Sequence, residues 1–181
     1  MKGFFSSVQS LSLIVCLMAG TAAFAQDRAP DCPAFGWPNH VQNLPINNPQ
    51  VLHWERTTAN QYQDRGHVSG PITEIFPDKN GHHHFSIQVG TNATDLIEVI
   101  YNEDFGALPD LQVGMTVEAC GDYITSTAQS GPYPPSPDGA IIHWVHANPS
   151  GKGHPPGYLI VNGVLCGQDT AHAGPHHVNN Q

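Results

Sequence analysis

Two groups of histidine residues contain the side chains of this chain best suited to chemistry. One is the run His82–His84; the other comprises His143, His146 and His154, in the stretch from Gly139 to Gly157. Imidazole is the commonest protein metal ligand and titrates near neutral pH. Two separated groups therefore predict one composite site for a divalent metal such as Zn²⁺ or Cu²⁺, provided that the fold brings them together. Their spacing matches no standard zinc motif and identifies no reaction.

The first group can place two imidazoles on one side of a strand. Side chains at positions i and i+2 of a strand point the same way, so His82 and His84 can converge on one ion from the exterior of a barrel. His83 then points with Phe85 toward the core or its rim. The alternative is a solvated polar turn that binds nothing.

The second group needs a break in strand geometry. His143 and His146 are three positions apart, which puts them on opposite faces of a regular strand. Asn148-Pro149 ends the strand, so His146 is expected in the turn, and the flexible segment 150–153 lets His154 fold back. We expect all three to join His82 and His84 as metal ligands. The alternative is that His143 packs in the barrel and His146 bonds a loop carbonyl.

Trp144 and three carboxylates are the other candidates. Trp144 is expected on the face opposite His143, packed in the core or at the barrel rim, with a role in ligand stacking as the alternative. Glu103, Asp104 and Asp122 are expected near the barrel ends in solvated loops. No nucleophile motif or phosphate-binding loop occurs, so no catalytic residue is assigned.

The elements that position these residues are mainly strands. Apolar spacing predicts a helix from Pro49 to about Gln63, with Asn48 as its cap, and a small terminal hairpin over Tyr158–Leu165. Five segments have a strand pattern: His67–Phe76, with a bend at Gly70-Pro71, His84–Gly90, Leu96–Tyr101, Thr116–Ile124 and Ala140–His146. Five strands with an irregular link between the third and fourth predict a mainly β fold, a five-stranded OB-like barrel with one N-terminal helix and irregular termini. A β-sandwich would need about seven strands.

The chain is predicted to have four parts. Residues 1–25 resemble a secretory signal peptide: Lys2, the apolar run Leu11–Ala19, and an Ala-x-Ala signal before Gln26. The apolar run is shorter than the roughly 20 residues of a membrane span. Residues 26–48 form an extended arm, 49–168 the helix and barrel, and 169–181 a disordered tail with further histidines. We therefore expect a periplasmic or secreted protein.

The charge balance argues against a nucleic-acid partner. After residue 25 five basic residues remain against all 15 acidic ones, which is more negative than the −9 of the full chain. Nucleic-acid-binding proteins usually show a basic stripe, and none is visible in this sequence. A metal ion or a small neutral ligand is the expected partner.

Three cysteines lie beyond the predicted signal peptide, and an oxidising compartment would favour their pairing. We expect Cys32 to bond Cys166, tying the arm to the tail, and Cys120 to be a small buried hydrophobe within a strand. Spacing alone does not determine which cysteines pair. The alternative role for Cys120 is that of a metal ligand.

A series of short motifs runs from about Gly66 to Gln168. They are Gly70-Pro71-Ile72, Pro77-Asp78, His82 before Phe85, Asn102, Gly121-Asp122-Tyr123, and Ile142-His143-Trp144-Val145-His146 followed by Asn148-Pro149, Gly151, His154 and Gly157. In these motifs the chain resembles a family of small exported bacterial proteins, the domain-of-unknown-function family 3465. It departs at Tyr101, where the family tends to have His, and at Asn148, where it tends to have Asp. The resemblance implies export and the OB-like fold, and brings no established activity.

Three functions are compatible with these features. The leading one is an exported OB-like domain that binds a ligand through a histidine-rich divalent-metal site. The second is a metal-dependent hydrolase, acting for example on phosphodiesters, with Asp122 or Glu103 as general base. The third is a protein-interaction module that uses the Pro-rich loop 131–137.

Overall fold

The computed structural model describes residues 29–34 and 43–171. In this part of the chain one α-helix, α1, is followed by seven β-strands, with a short 3-10 helix after the third. Their bounds are α1 Asn48–Thr57, β1 Gln63–Ile75, β2 His82–Gln88, β3 Leu96–Asn102, the 3-10 helix Glu103–Phe105, β4 Thr116–Thr125, β5 Ala140–His143, β6 Tyr158–Val161 and β7 Val164–Cys166.

Five of these strands close into a barrel. Their order is β1-β2-β3-β5-β4, and β4 pairs again with β1. The neighbours are antiparallel except β3 and β5, which are parallel. The hairpin β6–β7 extends the sheet from β4. The predicted OB-like barrel with one helix is confirmed.

β1 is long enough to pair with two other strands. Its N-terminal part pairs with β4 and its C-terminal part with β2. At Gly70 the two strands β1 and β2 approach so closely that a Cβ would lie 1.9 Å from the carbonyl oxygen of Gln88. The register shifts between Ile72 and Glu74, so the irregularity lies just beyond the bend predicted at Gly70-Pro71.

The barrel core follows the alternation seen in the sequence. Phe85 and Ile87 of β2 and Ile142 of β5 point inward and are fully buried. Trp54 of α1 lies against one end of this core, with its ring centroid 5.3 Å from that of Tyr123. Burial of apolar surface, at about 25 cal/mol per Å², is the main stabilising contribution. The opposite face of the same strands is left for polar side chains.

The helix is shorter than predicted, ending at Thr57 instead of near Gln63. Thr58 is extended, and its hydroxyl donates to the carbonyl of Trp54, four residues back. Tyr62, whose spacing favoured a longer helix, lies on the approach to β1, with its ring 6.0 Å from that of Trp54. Packing between these two rings explains the apolar spacing without a continuous helix.

Two asparagines dock the start of α1 on β1. The cap position is Asn47, not Asn48 as predicted, and it has no side-chain capping bond. The Asn48 side chain instead donates to the Ser69 carbonyl at 2.7 Å and accepts from the Ser69 amide at 3.0 Å. Asn47 accepts from the His67 amide at 2.8 Å. Both asparagines therefore satisfy the backbone of the strand and fix the helix beside it.

The disulfide joins Cys32 to Cys120, so the predicted Cys32–Cys166 bond is wrong. The arm crosses β4, where Cys120 points outward, whereas Cys166 lies in β7, two strands further along the sheet. Cys32 and Cys120 are fully buried in a second small core with Tyr158. Cys120 is thus neither an unpaired hydrophobe nor a metal ligand, and Cys166 is a buried free thiol.

Several predictions concern residues outside the described part of the chain, namely 1–28, 35–42 and 172–181. They include the signal peptide, part of the arm and most of the tail, which therefore stay predictions. Within residues 29–34 and 43–171, no helix combines the length and apolar character needed to cross a bilayer.

Candidate functional site: a histidine and aromatic cluster

The outward faces of β1, β4 and β5 carry a row of buried polar side chains. Arg65 lies opposite Asp122, and Asp122 lies opposite His143. All three are almost completely buried, because the segment 144–157 that follows β5 covers them. The first sequence-predicted ligand, His143, therefore lies outside the barrel and beneath a loop, not in the barrel core.

Six aromatic rings form a continuous chain of contacts around His143. The centroid separations are 5.8 Å for His82–His143, 4.7 Å for His143–Trp144, 5.2 Å for Trp144–His154, 5.4 Å for His146–His154 and 3.6 Å for Phe105–His146. The two histidine groups, which are distant in sequence, thus meet in the fold. This proximity is the geometric requirement for a composite site.

Hydrogen bonds fix the tautomers of the four other predicted ligands. In each, Nδ1 faces an oxygen that can only accept: His82 with the Asn80 carbonyl at 3.0 Å, His84 with Glu98 Oε1 at 2.7 Å, His146 with the Ala147 carbonyl at 2.7 Å and His154 with the Pro155 carbonyl at 2.8 Å. Each Nδ1 therefore carries the proton, and the lone pair of the neutral ring is on Nε2. Metal-binding histidines use the same arrangement, with the second nitrogen donating to a carbonyl or carboxylate.

His143 is the centre of the cluster and differs from the other four. It is 5% exposed, and burial, together with the nearby His82, His146, His154 and His84, holds its pKa well below the usual 6.5. The described residues supply no hydrogen bond to its ring. No fully buried side-chain nitrogen in that part of the chain lacks a partner, so the His143 nitrogens must retain some contact with solvent. His143 is therefore a neutral, buried imidazole that remains reachable by a small ligand.

The segment after β5 is held in place by a side-chain and backbone network. β5 ends at His143, which puts His146 in the turn, as the sequence predicted. Asn148 donates to the His154 carbonyl at 2.5 Å and accepts from the Gly151 amide at 3.1 Å. The Gly157 amide donates to the His146 carbonyl at 2.7 Å. These bonds return the chain on itself and bring His154 to within ring contact of His146.

Trp144 is not in the hydrophobic core, and the prediction that it lies on the face opposite His143 is wrong. Its φ of +53° lies in the left-handed region, which reverses the strand alternation after His143. The indole is partly exposed and contacts both His143 and His154. A change of backbone conformation at one residue carries no signal in the alternating pattern, which is why the sequence placed Trp144 opposite His143.

The first histidine run divides into separate environments. His82 contacts His143, whereas His84 is paired with the buried Glu98. His83 lies between two exposed carboxylates, 2.9 Å from Asp78 Oδ1 and 3.9 Å from Glu103 Oε2. Its ring also stacks on the buried Tyr101, with centroids 6.2 Å apart, so His83 is a partly exposed residue at the rim of the core on the Phe85 side, as predicted.

The carboxylates proposed as general bases are not free at the cluster. Asp122 accepts from Arg65 Nη1 at 2.5 Å, in an ion pair with both side chains buried. Burial raises the pKa of Asp122 despite the opposing effect of the neighbouring Arg65. Glu103 is exposed and lies beside His83. Asp104 follows β3 in the 3-10 helix, where its amide donates to Asn102. No observation in this arrangement favours the hydrolase.

Two buried polar networks were missed by the sequence analysis. Arg65 donates from Nε to the Pro33 carbonyl at 3.0 Å and from Nη2 to the Pro156 carbonyl, so it joins the arm, the barrel and the segment after β5. His67 bonds Glu118 at 2.9 Å and Tyr158 at 3.0 Å. Glu118, Cys120 and Asp122 alternate along β4, and this alternation of polar positions was the available signal for an outward face that another segment covers.

Within residues 29–34 and 43–171, no three His, Cys, Asp or Glu side chains are grouped closely enough to hold one metal ion as they stand. The imidazoles come together as contacting pairs. The structure is thus an OB-like β-barrel with a cluster of histidine and aromatic rings on its outer wall. Comparison with known protein families and with curated proteins found no match for the chain.

Proposed function

We propose that this barrel binds a divalent transition-metal ion through imidazoles of the cluster, with His143 as the central ligand. One observation carries the proposal: His143 is buried and neutral, has no hydrogen bond from the described residues, and is surrounded by four other histidines. The His143 nitrogens keep some contact with solvent, which leaves them open to a small cation. A bound cation would draw further ligands from His82, His84, His146 and His154.

The donor set favours Zn²⁺ or Cu²⁺ over hard cations. Imidazole nitrogen suits zinc, copper and nickel, whereas calcium and magnesium prefer oxygen ligands. At equal geometry Cu²⁺ binds nitrogen sites more tightly than Zn²⁺. The negative net charge of the chain adds a long-range attraction for any cation.

Binding by more than two imidazoles requires a local movement. His82 with His143, and His146 with His154, already make ring contacts. His154 follows the exposed segment 151–153, where two glycines have positive φ. Rotation of His154 about its side-chain bonds, with adjustment of that segment, is the smallest change that adds a third ligand to the His82–His143 pair.

Calorimetric titration of tag-free protein covering residues 26–181 with Zn²⁺ and Cu²⁺ tests the proposal. The tail histidines His172, His176 and His177 are first changed to Gln, so that any uptake reports the barrel. We expect one ion per chain and a loss of at least about tenfold in affinity in His143→Leu. The matched control is His53→Gln, on the exposed face of α1, which should bind as the parent does. Absence of uptake by the parent protein contradicts the proposal.

We also propose that the chain is exported, with residues 1–25 removed. The layout of the signal peptide supports this, and so does the disulfide, because such bonds persist in oxidising compartments. Expression of the full chain in a Gram-negative host, followed by intact-mass analysis of the periplasmic fraction, should give a protein beginning at Gln26. Recovery of only the uncleaved chain from the cytoplasm contradicts export.

A further inference from the structure

The disulfide between Cys32 and Cys120 fastens the arm to the outer face of the barrel. Cys120 lies in β4, and both cysteines are fully buried in the small second core. Beside the disulfide, the carbonyl of the arm residue Pro33 accepts a hydrogen bond from Arg65 Nε at 3.0 Å. Cleavage of the covalent bond would therefore leave the arm attached to β4 by hydrogen bonding and packing alone.

The two sulfur atoms of this bond have different surroundings. The buried Arg65 side chain places Nη2 3.2 Å from Cys120 Sγ, whereas the described residues make no hydrogen bond to Cys32 Sγ. Nη2 also donates to the Pro156 carbonyl, and the Asp122 carboxylate accepts from the other terminal nitrogen, Nη1. A guanidinium at this distance stabilises a thiolate by a charge-assisted hydrogen bond. When the disulfide is cleaved, the negative charge is thus stabilised better on Cys120 than on Cys32.

We propose that this disulfide is a reducible latch on the arm, and that Arg65 sets the direction of thiol–disulfide exchange. One thiolate of a dithiol attacks Cys32 Sγ and forms a mixed disulfide, while the original S–S bond breaks and Cys120 leaves as a thiolate beside Arg65. The second thiolate of the dithiol then attacks the dithiol's own sulfur in the mixed disulfide and releases Cys32. The dithiol is oxidised to its disulfide, and its two electrons and two protons pass to the cysteine pair.

Opening of the latch requires only a local movement. Asp31 is exposed and Ala34 is partly exposed, so the arm lies at the surface on both sides of Cys32. A small outward movement of the arm would give a thiolate access to Cys32 Sγ. Arg65 keeps its bonds to Asp122 and to the segment 144–157 when the arm leaves, so the barrel wall stays in place. An oxidising compartment keeps the latch closed, and a reducing one opens it.

The rate of reduction by dithiothreitol shows whether the arm opens independently of the barrel. The protein covering residues 26–181 carries Cys166→Ala, which removes the buried free thiol, and freed cysteines are counted by mass after N-ethylmaleimide labelling. Because local opening exposes little surface, we expect the rate to rise by less than about threefold per molar urea below the unfolding transition. A steeper rise, parallel to that of global unfolding, would show that only the unfolded chain is reduced and overturns the latch.

Trapping with glutathione tests the role of Arg65. Glutathione has a single thiol, so the mixed disulfide persists, and N-ethylmaleimide then marks the cysteine that left. We expect glutathione on Cys32 at least about tenfold more often than on Cys120. Arg65→Met with Asp122→Asn should reduce this ratio to less than about threefold, whereas Arg56→Met, at the exposed ion pair of α1, should leave it unchanged.

Equal attack on the two sulfurs of the parent, or an unchanged ratio in the Arg65 double variant, overturns the inference. The trapping ratio of the parent and the urea dependence of its reduction need no folded variant. Both tests are also independent of metal binding, so their failure leaves that proposal as it stands.

Discussion

Replacement of His143 by leucine tests whether a neutral imidazole is buried at the centre of the cluster. Leucine is similar in size and needs no hydrogen bond. Because the His143 nitrogens keep some contact with solvent, the substitution removes no unsatisfied buried group, and we expect the free energy of unfolding of the metal-free protein at pH 7.5 to change by less than about 1 kcal/mol. The variant should lose metal binding.

The larger expected difference between His143→Leu and the parent is in how the free energy of unfolding depends on pH. Burial holds the pKa of folded His143 well below the 6.5 of an unfolded histidine. Below pH 6.5 His143 binds a proton in the unfolded chain but not in the folded chain. The free energy of unfolding therefore has its full value above pH 6.5 and falls as the pH decreases below it. From pH 7.5 to 5.5 this lost stability amounts to about 1.4 kcal/mol if the folded ring stays neutral.

Urea unfolding at pH 7.5, 6.5 and 5.5 in metal-free buffer measures this difference. Burial also lowers the His154 pKa, but that residue is present in both proteins, and its contribution largely cancels in the comparison. From pH 7.5 to 5.5 the free energy of unfolding of His143→Leu should rise by about 1.4 kcal/mol relative to that of the parent. Parallel stability curves for the two proteins would refute the reasoning, because they would mean that His143 titrates alike in the folded and unfolded chains.

Three other predictions concern stability, each measured by urea unfolding. Arg65→Met leaves the Asp122 carboxylate buried without its partner and should lower the free energy of unfolding by about 3–5 kcal/mol. Much of that loss should be recovered in the double variant Arg65→Met with Asp122→Asn. Equal losses in the single and double variants would contradict the ion pair. Burial raises the Glu55 pKa to about 7, so the free energy of unfolding of the parent should fall as the pH rises from 4.5 to 7. After allowance for solvent screening, Glu55→Gln should be about 0.5 kcal/mol more stable than the parent at pH 8. Equal stability of the two proteins at that pH would contradict the raised pKa. Alanine at both Cys32 and Cys120 should cost about 4–5 kcal/mol in the loop-entropy model, and a loss under about 1 kcal/mol would indicate that the bond does not form.

The barrel could be predicted from sequence because its strands follow a local rule. Alternation such as Phe85 and Ile87 against Ser86 indicates a strand with one apolar face. The end of α1 could not be placed in the same way, since Tyr62 keeps helical spacing while packing on Trp54 from outside the helix. Apolar spacing indicates which residues are buried, but a residue such as Tyr62 can be buried against a helix without belonging to it.

The approach of His82 to the later histidines could be expected from the sequence, whereas the detailed surroundings of the cluster could not. Both histidine groups could be named because imidazoles are recognisable by type, and barrel closure brings His82 to His143. The partner of Cys32 depended on which strand the arm crosses, and the position of Trp144 depended on one backbone angle. Both are long-range outcomes of packing, and a single sequence contains no local signal for them.

The parallel pairing of β3 with β5 has a consequence for any ligand of the cluster. This seam has two register pairs, Glu98 with Ile141 and Val99 with Ile142, fewer than any other junction in the barrel wall. His82, at the start of β2, contacts His143, at the end of β5, so their contact spans the intervening β3 and this junction. An ion held by both would link β2 to β5 beside the junction with the fewest register pairs, so the amide hydrogens around Ile142 should exchange more slowly when the ion is bound.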